Sequence, residues 1–276
     1  MTGTITIERK GDVLVVVNDN PANRNALNPD FYVGFAETLA EASSDPTIGA
    51  IVLTGAGDFF CSGGDLNRLK SNAQRTPEER RAGIDRLHAM IAAMRDCPKP
   101  IIAAVEGGAA GAGVSLALAC DMIVAASEAY FSVAYVRVAL SPDGGVTAFL
   151  GKALPRQLVT ELCLTGKPVS VERLHQFGVV NHITDKGGAL EEATTIAQRL
   201  TQGPARTMAR IKSLCHVAQE NSLQEQLDAE ADLMVLSQGD AEAAEGIGAF
   251  LEKRKPDFPG LRRAETKDLR RAEPER

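Results

Sequence analysis

Apolar and polar positions alternate from the start of the chain. The stretch "TITIERKGDVLVVVND" reads as two short strands meeting at Lys10-Gly11. "IGAIVLTG" and "KPIIAAVEG" are continuous apolar runs, as expected of strands buried on both faces, and "DMIVAAS" and "AYFSV" extend the set. Between these runs the period changes. "NPDFYVGFAETLAEASSD" has helical spacing, with Asn28 as N-cap and Pro29 at the first helical position. "TPEERRAGIDRLHAMIAAMRDC" is a second helix, with Thr76 and Glu79 spaced as a capping box around Pro77. Strand and helix patterns alternate to about residue 135, which predicts an α/β layer architecture. After "SPDGG" the pattern turns mostly helical, and from about residue 186 it is helical alone, in four amphipathic segments ending with "DAEAAEGIGAFLEKRK". Such a run after an α/β core suits an oligomerisation or lid element. The tail "LRRAETKDLRRAEPER", residues 261–276, is charged and has little to bury, so it is expected to be disordered or loosely attached.

Composition narrows the class. Of 276 residues 44% are apolar, enough for a substantial core, but aromatics are 4% and tryptophan is absent, so that core must be built from Ala, Val, Leu and Ile. A formal net charge of −6 argues against nucleic acid as the main partner. The five cysteines are odd in number and lack a Cys-x-x-Cys pair, which fits free thiols in a reducing cytoplasm. The four histidines are scattered and share no metal-ligand spacing with the cysteines, so no metal is expected. The N-terminus enters strand-like sequence with no charged leader and long apolar run, and no stretch reaches the ~18 apolar residues of a membrane span.

Two glycine-rich turns carry the candidate chemistry. "GGAAGAGVSLALACD", residues 107–121, runs Gly-x-x-Gly-x-Gly at Gly108, Gly111 and Gly113, the reverse of the dinucleotide fingerprint, and no Gly-Lys-Ser/Thr follows. Alone, this turn fits close helix–strand packing as well as it fits ligand binding. "DFFCSGGDL", residues 58–66, also follows a buried strand and runs Gly-Gly into a polar helix start. Two such turns can aim backbone N–H groups at one oxygen, the physics of an oxyanion hole. Small residues are required so that a carbonyl can approach.

"PANRNAL", "FFCSGGDL", "KPIIAAVEGGAAGAGVSLALACD" and "LSPDGG", in this order and spacing, resemble the crotonase superfamily, which includes enoyl-CoA hydratases and isomerases; "AFLEKRKPDF" resembles its C-terminal close. The resemblance covers about residues 5–260. It implies a spiral of ββα units, an acyl-CoA-binding core over residues 1–199 and a helical trimerisation region over residues 200–260. It also implies a homotrimer or dimer of trimers and an acyl-CoA thioester substrate, with coenzyme A arriving as part of the substrate and no permanently bound cofactor. Carried over by motif, the oxyanion donors are the N–H groups of Gly64 and Ala112; Ala112 stands where relatives usually have glycine, a change that leaves the N–H intact. Coenzyme A contacts fall on Arg24, Ala26, Ser62, Gly64, Asp65 and Leu66, and on Phe250 and Lys253 (with Arg254 beside it), the last group arriving from a neighbouring subunit. Asp65 also suits a helix cap beside the oxyanion turn.

The hydratase branch uses two glutamates, and their positions hold Ser115 and Tyr135 here. A carboxylate does occur nearby, at Asp143 in "SPDGG". By itself Pro-Asp-Gly is an ordinary turn. In double-bond isomerases of the superfamily, however, a single acid often occupies this turn. One carboxylate suffices to take a proton alpha to the thioester and return it at the gamma carbon while the oxyanion hole carries the enolate. His88 lies in phase with apolar neighbours, as a packed helix-face histidine would. In aryl-CoA dehalogenases of the superfamily, a histidine on this helix works with an aspartate at this turn, and their ring-binding aromatic aligns with Tyr135. The leading expectation is therefore an enoyl-CoA hydratase/isomerase-type enzyme working by proton shuttle through Asp143. The alternatives are hydrolytic or ring-opening chemistry on an aromatic-acid CoA intermediate at His88, Tyr135 and Asp143, and a catalytically silent CoA-binding protein.

Overall fold

The computed structural model of the chain describes residues 4–264. The first half contains β1 (Thr4–Lys10), β2 (Val13–Asp19), α1 (Pro29–Ser44), β3 (Ala50–Gly55), α2 (Leu66–Asn72), α3 (Pro77–Asp96), β4 (Ile101–Val105), β5 (Gly108–Ala110), α4 (Ala112–Leu118), β6 (Met122–Ala126) and β7 (Tyr130–Ser132). After a 3-10 turn at Ala134–Val138 follow α5 (Val146–Ala153), α6 (Arg156–Thr165), β8 (Val169–Ser170), α7 (Val171–Gln176), β9 (His182–Thr184), α8 (Ala189–Leu200), α9 (Ala205–Val217), α10 (Leu223–Gln238) and α11 (Ala241–Leu251).

The main sheet has the order β1-β2-β3-β4-β6-β9. β1 and β2 form an antiparallel hairpin around Gly11 (φ 64°), and every later pairing in this sheet is parallel. Period-2 alternation divides the apolar residues between two faces. Leu14, Val16, Ile51 and Leu53 pack with Phe31, Phe35 and Leu39 of α1 and with Leu87, Met90 and Met94 of α3. Val13, Val15, Val52 and Ile102 face Ala189, Ala193, Ile196 and Ala197 of α8. Alanines on α8 let that helix approach the sheet closely, which is how a core nearly free of aromatic rings on this side still fills its space. The two anticipated helix starts are present. Phe31 N–H donates to the Asn28 side chain at 2.8 Å, and Thr76 and Glu79 exchange both capping-box bonds.

A second sheet, β5-β7-β8, stacks the glycine turn against Tyr130–Ser132. The strands β5, β8 and β9 depart from the sequence reading, which took the chain after "SPDGG" as mostly helical and residues 107–113 as a turn. They are two or three residues long, too short for a period-2 pattern, and they exist because a neighbouring strand edge pairs with them.

A buried lysine joins the C-terminal helices to the core. Lys212 Nζ on α9 donates to the carbonyls of Met94 and Lys99, both at 3.1 Å, and pairs with Asp121 at 2.8 Å. Residues 258–264 form a further helical turn, in which Arg262 is buried and donates to the Thr201 carbonyl at 3.1 Å. The charged segment anticipated to begin at residue 261 is thus anchored over its first four residues, and the rest of that expectation lies outside the described residues. Among the described residues no helix is long and apolar enough to cross a membrane.

Candidate active site

The two glycine turns meet. Ala110 N–H donates to the Cys61 carbonyl at 2.9 Å, and Cys61 N–H donates back to the Gly108 carbonyl at 3.3 Å. The approach tolerates no side chain at its closest points. A Cβ on Gly113 would sit 2.3 Å from the Cys61 carbonyl oxygen, and one on Gly63 (φ 92°) would sit 2.7 Å from the Ala110 oxygen and 3.1 Å from the Ala112 nitrogen. Gly64 and Ala112 therefore lie side by side across the seam, and both line one cavity of about 920 Å³. Among the described residues, no acceptor within the protein meets the Gly64 or the Ala112 N–H. Two adjacent, preorganised donors opening into a cavity can hold a carbonyl oxygen as it gains negative charge.

The third wall is the Asp143–Gly144 turn, fixed from three elements. Ser115 Oγ on α4 donates to the Asp143 carbonyl at 3.0 Å. Tyr135, in the 3-10 turn, donates to Asp143 Oδ1 at 2.8 Å and also reaches the Asp143 carbonyl at 3.3 Å. Gly144 N–H donates to His88 Nε2 on α3 at 3.3 Å, so Nε2 is the accepting nitrogen of the ring. Burial, and then the neighbouring Asp143 charge, push the Tyr135 phenol far above its usual range, so it stays a hydrogen-bond donor at any working pH. Asp143 Oδ2 has no hydrogen-bond partner among the described residues. The carboxylate thus has one oxygen held and one free. Ser115 is fully buried, and a Cβ on Gly144 (φ 62°) would meet its side chain at 2.8 Å. The Asp143–Gly144 backbone occupies the room that a longer acidic side chain at position 115 would need.

Asp143, Gly64, Ala112, Tyr135 and His88 all line this cavity, as do Ala26, Ser62, Asp65 and Leu66. His88 differs from the packed helix-face reading, because it is exposed to the cavity and engages the aspartate turn. Asp65 acts as the N-cap of α2, accepting from Asn67 N–H at 2.8 Å. Arg24 does not line the cavity; its guanidinium lies over the Phe59 ring, 5.7 Å from the centroid. Phe250 and Lys253 are also absent from the cavity of their own chain, Phe250 being 83% exposed, and Arg254 is engaged by Glu245 at 2.7 and 3.0 Å. Tyr32, Arg68, Asn72 and Arg80 line the cavity but were not singled out by sequence. Tyr32 stood as one more aromatic beside Phe31, and the other three looked like solvated helix positions. Burial, with the Asp143 charge second, also raises the Tyr32 phenol, which places it in the same electrostatic environment.

The family model described as enoyl-CoA hydratase/isomerase matches residues 8–261. The chain belongs to the enoyl-CoA hydratase/isomerase family. It is 34% identical to the 1,2-epoxyphenylacetyl-CoA isomerase of Escherichia coli K12, over 90% of this chain and 95% of that one. It is 32% identical to the 2,3-dehydroadipyl-CoA hydratase of the same organism, over 93% and 98%. Among solved structures it resembles an enoyl-CoA hydratase from Polaromonas sp. JS666, with TM-score 0.90, 45% identity, and 92% and 99% of the two chains covered. The crotonase fold expected from the motifs is the fold found.

As an enoyl-CoA hydratase/isomerase family member, the chain yields two expectations at once. Tyr135→Phe removes the bond to Asp143 Oδ1 and keeps the buried ring, so kcat should fall about tenfold or somewhat more, the worth of one hydrogen bond to a charged group. Ser115→Ala, which frees only one backbone carbonyl, should have a much smaller effect; equal losses in steady-state assays would mean that both act only through the turn's position. The second expectation concerns alkaline stability. Burial pushes the Cys61 thiol from 9.0 up to about 12, against a smaller lowering by Gly63 N–H. A raised folded value means that this contribution is complete below about pH 9 and is lost as pH rises from about 9 toward 12. Melting temperatures should therefore fall above about pH 9, less steeply in Cys61→Ala; identical slopes in the two proteins would show that Cys61 plays no part.

Proposed function

We propose that this chain is an acyl-CoA double-bond isomerase in which Asp143 carries the proton. The observation that carries the reading is the half-held carboxylate: Asp143 Oδ1 accepts from Tyr135, Oδ2 is free, and the acceptor-free N–H groups of Gly64 and Ala112 open into the same cavity. The thioester carbonyl oxygen accepts from these two N–H groups, which acidifies the alpha C–H. Asp143 Oδ2 takes the alpha proton, and the electron pair of the broken C–H bond delocalises onto the held oxygen as a dienolate. The protonated Asp143 then returns a proton to the gamma carbon, the oxygen regains its carbonyl bond, and the double bond has moved by one position with no net change in atoms. Among the described residues, the other acid lining the cavity is Asp65, whose Oδ1 accepts from Asn67 and Arg68 N–H as the cap of α2, a structural task that Asp143 does not share. A 31%-identical relative from Arabidopsis thaliana is named a Delta(3,5)-Delta(2,4)-dienoyl-CoA isomerase, which supports this reading.

A second reading rests on His88. Its Nε2 lies against the Asp143–Gly144 turn, and Tyr135 borders the cavity, which would suit hydrolytic or ring-opening chemistry on an aromatic-acid CoA thioester. A panel of acyl-CoA thioesters followed by mass spectrometry separates the possibilities. Isomerisation leaves the mass unchanged, hydration adds water, and hydrolysis frees coenzyme A. Tight binding with no turnover on any ester would favour a silent CoA-binding protein and sink both readings.

Coenzyme A enters this reading only as part of the substrate. The assembly proposed is a trimer or dimer of trimers built through α10 and α11, whose Leu223, Met234, Ile247, Phe250 and Leu251 are each at least 59% exposed in the single chain. Such an assembly would bring Phe250 and Lys253 to a neighbour's cavity. Sedimentation at micromolar concentration should give a trimer or larger, and removal of residues from about 200 onward should lose it; a full-length monomer would refute the assembly. Five free cysteines, three of them buried, agree with a reducing, cytoplasmic setting.

A further inference from the structure

The acyl cavity has a cationic end that the proton shuttle does not use. On α3, Arg80, Ile84, Leu87 and His88 all line the cavity, and their spacing of four, three and one residues puts them on one helical face. His88 marks the reacting end, because its Nε2 meets the Asp143–Gly144 turn. Arg80 lies eight residues earlier, about 12 Å along the helix axis, with Ile84 and Leu87 supplying an apolar stretch between. On α2, Arg68 and Asn72 line the same cavity one helical turn apart. Asn72 ends α2 and Arg80 lies in the first turns of α3, so these polar groups gather at the α2–α3 corner.

The partners of the two arginine side chains among the described residues are electrostatic only, Arg80 with Glu78 and Arg68 with Tyr32. Among the described residues, neither Arg68 nor Arg80 forms an ion pair. The acids next to Arg80 in sequence, Glu78 and Glu79, do not line the cavity, and Glu79 is committed to the capping box. Asn72 Oδ1 is buried with no hydrogen-bond partner. A buried orphan amide costs free energy unless something polar meets it. Arg137 also borders the cavity, but its stem and Nε pack along Gly166.

Two guanidinium groups and an amide, set about two helical turns from the reacting end and separated from it by apolar side chains, match an acyl chain that ends in a carboxylate. We propose that Arg80, with Arg68 and Asn72, selects acyl-CoA thioesters carrying a carboxylate at the far end of the acyl chain. This rests on the cavity being the acyl-CoA site of the proposed isomerase. Guanidinium suits the task because it pairs with carboxylate through two parallel N–H···O bonds and stays charged at all working pH. The competing assignment for these arginines is the phosphate groups of coenzyme A itself.

Binding of unreactive saturated esters distinguishes the two, without needing turnover. Titration calorimetry would compare adipyl-CoA, hexanoyl-CoA and free coenzyme A on the wild type, on Arg80→Gln, on Arg68→Gln and on the double variant. The wild type should bind adipyl-CoA roughly 10–100-fold more tightly than hexanoyl-CoA, the worth of charged hydrogen bonds in a cavity. Each single variant should lose much of that preference and the double variant nearly all of it, with hexanoyl-CoA and free coenzyme A affinities within about threefold of wild type. Arg80 is exposed and Arg68 half-buried, so neither substitution removes a core contact. Equal wild-type affinity for the two esters would overturn the proposal. So would a preference that survives in the double variant, or variants that weaken all three ligands equally, which would give the arginines to the phosphates. Because none of these readouts involves proton transfer, a failure here is distinct from a failure of the Asp143 mechanism.

Discussion

Asp143→Asn should lower kcat by about 10²–10⁴-fold, the range for removing a general base, while leaving the affinity for an unreactive acyl-CoA ester nearly unchanged. Asparagine is close to isosteric with aspartate and can still accept the Tyr135 hydroxyl through its own oxygen. The turn keeps its other two ties, because Ser115 donates to a backbone carbonyl and His88 accepts from a backbone N–H, neither of which the substitution touches. What is lost is the free carboxylate oxygen that accepts the proton. Steady-state kinetics on the best substrate, with calorimetric binding alongside, separates the two effects. A variant with most of its kcat would remove Asp143 as the base, and one that loses binding in proportion to rate would make Asp143 a substrate-positioning group instead.

Gly64→Pro should cut turnover by about 10²–10³-fold, as loss of one oxyanion donor does elsewhere. Proline deletes the N–H but also fixes φ and restricts the preceding residue, here Gly63 with φ 92°. Gly64→Ala is the necessary companion. It keeps the N–H, and its Cβ would meet the flexible end of Leu69 at 3.3 Å, a tight contact that the side chain can relieve. The alanine variant should therefore retain most of its activity while the proline variant does not. Equal losses would trace the effect to crowding in the turn rather than to the donor, and a folded proline variant with full activity would exclude Gly64 from the chemistry.

Much of this site was legible in the sequence because its parts are constrained by backbone geometry. Gly63, Gly108 and Gly111 take positive φ, and at Gly63 and Gly113 the structure places the two turns against each other too closely for a side chain. Asn28, Thr76 and Glu79 announced helix starts through side-chain chemistry that acts within four residues. What could not be read depends on distant partners. The strands β8 and β9 are defined by the edges they pair with, not by a period of their own. His88 lies in phase with Ile84 and Ile91 on α3, and only the placement of Gly144 shows that its ring is at the site. Arg68, Asn72 and Arg80 look like ordinary polar helix positions until α2 and α3 are seen to border one cavity. Arg24, an arginine after a turn that suits a phosphate, lies with its guanidinium over the Phe59 ring, a contact that the sequence does not announce.

The sharpest measurement is hydrogen exchange at the carbon alpha to the thioester. A 3-enoyl-CoA ester incubated in D2O with the wild-type enzyme should gain deuterium at that carbon, followed by mass spectrometry and NMR, as the double bond moves into conjugation. With Asp143→Asn, exchange and isomerisation should slow together and by the same factor, because one carboxylate performs both proton transfers. Exchange by Asp143→Asn at the wild-type rate would show that another group takes the proton, and the assignment of Asp143 as proton carrier would be wrong.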